Sequence, residues 1–248
     1  MDIHRRAALM ALSLSNSEKR ERMVRDACPA PTVEGDKLLL DMRRAGCRFC
    51  WYGDADYPSL LLETMDPPCF LLVRGDLPLS PFVMMAGNTN PSLEASLCSY
   101  HYGRLLASLG CTVVVNGEGL CDQMACEGSR DGGRNAVVVE AQGLDSILPS
   151  VPSPVRVSPF LPGTARNRGN QVARSSVSAG MSFLLLVTEA SMRSGVLRIV
   201  REALDGGREV ALLPSALGRG WRKEGGNRLR SEGCPILCRA KGGSFVLR

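Results

Sequence analysis

Histidine and aromatic residues are the scarce side chains of this 248-residue chain. It has two histidines, His4 and His101, and aromatics make up 5% of it: Phe 6, Tyr 4 and Trp 2. Two isolated histidines leave no histidine-built metal centre to look for. Few aromatics mean few platforms for base stacking, worth about 1–3 kcal/mol per base where it occurs. Phe160 is the best candidate for that role in the sequence. Long apolar runs are missing too. Beyond the N-terminus the longest is Phe183 to Thr188, far too short to span a bilayer. The start, Met1 to Ser17, has the outline of a signal peptide, with Arg5 and Arg6 ahead of a short apolar stretch. Charged helical sequence follows it, so an amphipathic helix is expected instead. The chain also lacks a nucleophile elbow, a Walker lysine and a metal-ligand cluster, so no metal and no cofactor is called for. Glu189 and Asp122 are left as an acid and a base, against the commoner roles of capping a helix or holding an arginine.

Cysteine, glycine and an uneven charge are what the chain does have. The ten cysteines are irregularly spaced. Cys47-x-x-Cys50 and Cys234-x-x-x-Cys238 have spacings that zinc could use, but no histidine lies near either pair, and Cys47, Phe49 and Trp51 alternate as on a strand. Buried free thiols and a reducing, cytoplasmic setting are expected. Residues 1–150 carry 14 Lys+Arg against 19 Asp+Glu, a balance of −5, and residues 151–248 carry 16 against 6, a balance of +10. That asymmetry suits a polyanionic partner, or is a solvated arginine-rich surface.

Two regions are expected: a small helical lobe over 1–46, and a larger α/β domain over 47–248. Strand candidates are 69–73, 82–86, 111–115, 135–139, 182–187 and 209–213, with helices at 91–109, 121–130, 170–180 and 195–206. Continuous apolar strands separated by helices predict an α/β fold, a mostly parallel sheet covered by helices on both faces. In the last helix Val196, Ile199, Val200, Ala203 and Leu204 fall at i, i+3, i+4, i+7 and i+8. In the first, Asn90 is available as N-cap with Pro91 at N1, and Leu93, Leu97 and Tyr100 share a face. Residues 146–170, with five prolines, read as a long surface crossover.

Such sheets bind ligands beyond the carboxyl ends of their strands. Four strand ends matter: Gly87-Asn88-Thr89; Asn116, Gly117 and Gly119 with Asp122 following; Gly143 and Asp145; and Glu189 with Ser194-Gly195 opening a helix. Helix starts there present backbone N–H groups suited to phosphate. Tight turns alone would need the same glycines.

In this order the motifs resemble the DNA-processing protein A family, also called DprA or Smf. The likeness covers roughly residues 47–240. It includes Asp56-Tyr57-Pro58, Asp66-Pro67-Pro68 and Arg74-Gly75, the segment from Asn116 to Gly128, and Glu189, Arg193, Ser194 and Gly195. It closes with Gly225 to Gly233. Thr89 stands where the family has an arginine, Cys126 where a histidine is usual, and Ser215 where glycine is expected. Arg174-Ser175-Ser176 keeps the register of the family's Arg-Asn-Arg element, while a literal Arg166-Asn167-Arg168 lies eight residues earlier.

The resemblance implies an extended Rossmann-like domain that binds single-stranded DNA, protects incoming strands and loads the RecA recombinase in natural transformation, without being an enzyme. It also implies a homodimer. Its DNA contacts would come from Gly87, Asn88, Thr89, Asn116, Gly117, Gly119, Arg166, Arg168, Arg174, Ser175, Ser176, Arg193, Ser194 and Gly195, with Asp122 and Glu189 shaping the pocket. Without an arginine at Thr89, binding per nucleotide should be weaker, because a charge-assisted contact is roughly twice as strong as a neutral one. Two other readings stay open: a Rossmann-like nucleotide phosphoribohydrolase, whose Pro-Gly-Gly-x-Gly-Thr loop is not in this sequence, and a DprA-like scaffold that has lost DNA binding.

Overall fold

The structure is a computed structural model that describes residues 46–146, 155–239 and 245–247, together with Leu40 and residues 42–44. The helical lobe expected over 1–46 lies almost wholly outside the described residues. The elements in chain order are β1 (Arg48–Trp51), α1 (Ser59–Leu62), β2 (Phe70–Arg74), β3 (Phe82–Ala86), α2 (Leu93–Ser108), β4 (Thr112–Val115), α3 (Leu120–Asp131), β5 (Val137–Val139), β6 (Val155–Ser158), α4 (Arg168–Gly180), β7 (Leu184–Val187), α5 (Val196–Asp205), β8 (Glu209–Leu212), α6 (Glu224–Ser231), β9 (Leu237–Arg239) and β10 (Phe245–Leu247).

Eight strands form one sheet in the order β1-β2-β6-β5-β4-β3-β7-β8, and β9 and β10 form a separate antiparallel pair. From β6 through to β8 every pairing is parallel; β1 and β2 add an antiparallel edge. This is the α/β, extended Rossmann-like architecture expected. The chain runs outward from β3 through β4, β5 and β6, then crosses back to lay β7 and β8 on the other side of β3. The sheet's topological switch point therefore lies between β3 and β7.

The apolar runs explain why the sheet is covered twice. Side chains alternate along a strand, so a strand apolar at every position serves two cores. Met84, Ala86, Val114, Val137, Val139, Leu185 and Val187 pack with Val177 of α4 and Val196, Ile199 and Val200 of α5. Val83, Met85, Val113, Val115, Val138 and Leu186 pack with Leu106 of α2 and with Ala125 and Cys126 of α3. Each such side chain contributes roughly 1.5–3 kcal/mol of burial.

Two expectations give way here. The proline-rich crossover contains a buried strand, β6, which pairs with β5 on one side and β2 on the other. Pro159 follows the strand directly without entering the ladder, as a strand end allows. Its central Arg156 is buried as an ion pair with Glu140, so a strand carrying a charge did not read as one. Helix α2 is capped by Ser92 rather than Asn90: the Ser92 hydroxyl accepts the Ala95 N–H at 3.2 Å. Its buried face is mostly small, made of Ala95, Ser96, Ser99, Gly103 and Ala107 with Leu106 at the far end, while Leu93 and Leu97 are exposed. The reason is close packing on α3, where a Cβ on Gly128 would lie 2.0 Å from the Tyr100 carbonyl oxygen.

Candidate functional site

At the switch point the sheet opens into a crevice of about 220 Å³. It is lined by Gly87 and Thr89 after β3, Asn116, Glu118, Gly119 and Asp122 after β4, Arg174 and Ser175 of α4, and Arg193, Ser194, Gly195, Val196 and Arg198 at the α5 start. The structure thus gathers Gly87, Thr89, Asn116, Gly119, Asp122, Arg174, Ser175, Arg193, Ser194 and Gly195 into one place. Gly87 is there for space: a Cβ would fall 2.3 Å from Thr188 Oγ1 and 2.5 Å from Cys121 Sγ. Gly117 turns the chain at φ 68.

Of the four strand ends expected to offer backbone N–H groups, three are closed by the protein's own atoms. The start of α2 belongs to Glu189, whose buried carboxylate accepts the Ser92 N–H at 3.1 Å, the Ser92 hydroxyl at 2.6 Å and the Asn88 amide at 2.9 Å. At α3 the Glu118 N–H is donated to Asp122 at 2.9 Å and the Leu120 N–H to the Thr89 carbonyl at 3.4 Å. Gly143 and Asp145 are covered by the 161–164 loop, from which Gly163 donates to Asp145 at 2.8 Å. The start of α5 at Gly195 opens onto the crevice; the Arg198 N–H is given to the Gly195 carbonyl at 3.1 Å, which leaves the first-turn amides of Val196 and Leu197 outside the helix ladder.

Charge in the crevice is mixed. Arg174, Arg193 and Arg198 line it together with Glu118 and Asp122. The Arg174 guanidinium is buried, 1% exposed, and donates to the Asn116 carbonyl at 3.1 Å. It also pairs with Glu118 at 2.8 Å, and Arg166 reaches the same carboxylate oxygen at 2.5 Å from a more exposed position. Among the described residues two donors there have no partner: Nε of Arg174, and Nδ2 of Asn116, whose Oδ1 accepts the Ser178 hydroxyl at 2.6 Å. Burial pushes the Asp122 carboxyl up to about 6, the Glu118 charge adding to it, against the Glu118 N–H and the attraction of Arg174. Burial likewise raises the Cys121 thiol to about 11, so it is held as the unreactive thiol.

Asn88, Gly117, Arg166, Arg168, Ser176 and Glu189 do not line the crevice. Asn88 is a buried tie: its amide donates to Glu189 and to the Arg222 carbonyl, and its oxygen accepts the Ser191 N–H. Ser176 donates to Glu202 of α5 at 2.7 Å. Arg168 is exposed in the first turn of α4, whose N-cap is Asn167. Glu189 and Asp122 do not form an open acid–base pair, since both Glu189 oxygens are taken up in holding Ser92 and Asn88. Sequence reasoning missed Glu118 and Arg198. Glu118 was visible as the one charge in Asn116-Gly-Glu-Gly; Arg198 sits one helical turn after Gly195, a spacing that aims it at the helix start.

A Rossmann-like sheet whose switch point carries arginines at an open helix start places the chain in the doubly wound α/β class. The model of the family "DNA recombination-mediator protein A" matches residues 48–242, and the chain belongs to that family. It is 29% identical to Protein Smf of Synechocystis over 195 residues, covering 73% of this chain and 49% of that protein. It is 26% identical to the DNA processing protein DprA of Streptococcus pneumoniae over 200 residues, covering 74% and 68%. The chain thus spans about half the length of that Smf relative. In fold it is similar to the S. pneumoniae DprA structure, with TM-score 0.72, 21% identity, and 95% and 90% of the two chains covered. It is also similar to the DNA processing protein A of Helicobacter pylori, described for its single-stranded DNA binding mode, with TM-score 0.66, 21% identity, and 76% and 90% covered. Among the described residues no helix is long and apolar enough to cross a membrane.

Proposed function

We propose that this chain binds single-stranded DNA along the carboxyl edge of its sheet and acts as a DNA-processing protein, passing strands to a RecA-type recombinase. Family membership supports the reading, and so does the single-stranded DNA binding mode described for the H. pylori relative. The observation that carries it is the meeting of Arg174, Arg193 and Arg198 with the open start of α5 in one crevice. A strand phosphate seated there would take charge-assisted hydrogen bonds from Arg193 and Arg198 and amide hydrogen bonds from the first turn of α5. The uncharged Asn116 amide and Arg174 Nε would supply further donors below it. Arg166 stands at the mouth, on Glu118. The site needs no catalytic step, and none is proposed. A homodimer and a distinct N-terminal lobe over 1–46 belong to the same reading.

The test is fluorescence anisotropy with a labelled oligothymidylate at low salt, duplex DNA serving as competitor. The chain is expected to bind the single strand and to prefer it to duplex. Absence of binding to the single strand at low salt overturns the proposal. Co-precipitation of a RecA-type recombinase with and without the oligonucleotide tests the partner separately.

A further inference from the structure

We infer that Trp221 is a stacking platform for a nucleobase of the bound strand. This deepens the reading above and rests on it. Among the described residues Trp221 is the most exposed aromatic, at 59%. The exposure is built in, because its segment is fixed on every side. Asn227 clamps Gly218 through both backbone groups, accepting its N–H at 3.2 Å and donating to its carbonyl at 2.7 Å. Gly220, at φ 104, turns the chain immediately before the indole. Immediately after it, the Arg222 carbonyl accepts the Asn88 amide at 3.0 Å, and Arg222 Nε donates to the Asn90 carbonyl at 3.2 Å. Lys223 pairs with Glu94 of α2 at 2.5 Å. A large indole held out in water by a rigid frame forgoes the burial that tryptophan ordinarily gains.

The frame sets the position of the ring as well as its exposure. Residues 88–90 form one turn after β3. Thr89 lines the crevice, while Asn88 and Asn90 hold Arg222. The crevice and the residue that follows the indole are therefore both tied to this turn. The Arg222 guanidinium lies 4.5 Å from the indole centroid, a cation–π contact that occupies part of the ring. Arg219, two residues before the ring, is exposed. An aromatic surface flanked by cations, next to a phosphate seat, suits a base whose own phosphates need neutralising. An apolar protein partner would leave Arg219 and Arg222 desolvated without a counter-charge.

The experiment compares an oligothymidylate with an abasic sugar-phosphate strand of equal length. Both are titrated into the wild-type chain, Trp221→Ala and Trp221→Phe, and circular dichroism monitors folding. Wild type is expected to bind the base-bearing strand about tenfold more tightly than the abasic one. Trp221→Ala should lose most of that preference with abasic affinity unchanged, and Trp221→Phe should keep much of it. If Trp221→Ala binds oligothymidylate as well as wild type does, the stacking role is overturned while strand binding stands. If the substitution changes the sedimenting mass and leaves the base preference intact, the indole serves a protein contact and the inference is wrong. If wild type binds neither strand, the inference falls together with the reading it rests on.

Discussion

Arg174 and Glu118 form a 2.8 Å ion pair in which the guanidinium is buried and the carboxylate reaches the crevice. A buried guanidinium needs a counter-charge, and here a neighbouring loop supplies one. The same oxygen also receives Arg166. Glu118 therefore holds a position that a strand phosphate would contest, and it lowers the positive potential of the site.

Glu118→Gln keeps an acceptor for Arg174 and removes the charge. Stability is expected to fall by about 2 kcal/mol in a urea titration, since the buried guanidinium loses its counter-charge. Affinity for oligothymidylate is expected to rise about fivefold at low salt, the effect of removing one repulsive charge at close range. Unchanged affinity would place the strand away from Glu118.

Asp122 gives the site a pH dependence. Its folded carboxyl titrates near 6 against an ordinary 3.8, so the folded chain holds this proton more tightly than the unfolded one. Its contribution to stability is most favourable below about pH 4, declines as pH rises, and is wholly lost above about pH 6. Asp122→Asn should stabilise the protein at neutral pH by about 2 kcal/mol and flatten that part of the pH profile. Oligonucleotide affinity should strengthen from about pH 7.5 to about pH 5.5 in the wild type as this charge is neutralised. The dependence should be much reduced in the variant; an equal dependence in both would exclude Asp122 as its source.

Gly87→Ala places a methyl group 2.3 Å from Thr188 Oγ1 and 2.8 Å from the Cys121 Cβ. Neither neighbour is a free chain end, so β3 must shift against β7 and α3. A loss of about 2 kcal/mol is expected in thermal or urea unfolding. A variant as stable as wild type would show that the switch point is looser than described.

Glu189→Ala removes the acceptor for Ser92 and Asn88 at once. A loss of roughly 3 kcal/mol is expected, from a buried amide, an N–H and a hydroxyl left without their carboxylate. Glu189→Gln should recover part of it. A stable Glu189→Ala chain with lowered strand affinity would instead give this carboxylate a direct role in binding.

The sheet was legible because its central strands β3, β5 and β7 are apolar at every position. Phe82 to Ala86 followed by Gly87 reads the same way in sequence and in structure. The crevice was legible in outline, since a strand end and a helix start are both local signals. What was hidden depends on long-range pairing. Arg156 looked unlike a strand residue because Glu140, sixteen residues away, neutralises it in the core. Four N–H-bearing turns were expected, but Glu189, Asp122 and Gly163 close three of them, and such partnerships leave no local trace. Trp221 went unweighed because nothing in Gly220-Trp221-Arg222 says that Asn88 and Asn90 will anchor it beside the site.

The most direct test of the account is the salt dependence of oligothymidylate binding, with wild type and Arg193→Ala/Arg198→Ala compared by anisotropy across a range of potassium chloride. Each phosphate contact contributes about −0.7 to the slope of log K against log salt for a single strand. With both arginines on one strand phosphate, the double variant should bind more weakly and show a slope shallower by about 0.7. Equal slopes in the two proteins would mean that the strand bypasses the start of α5, and would contradict the central claim.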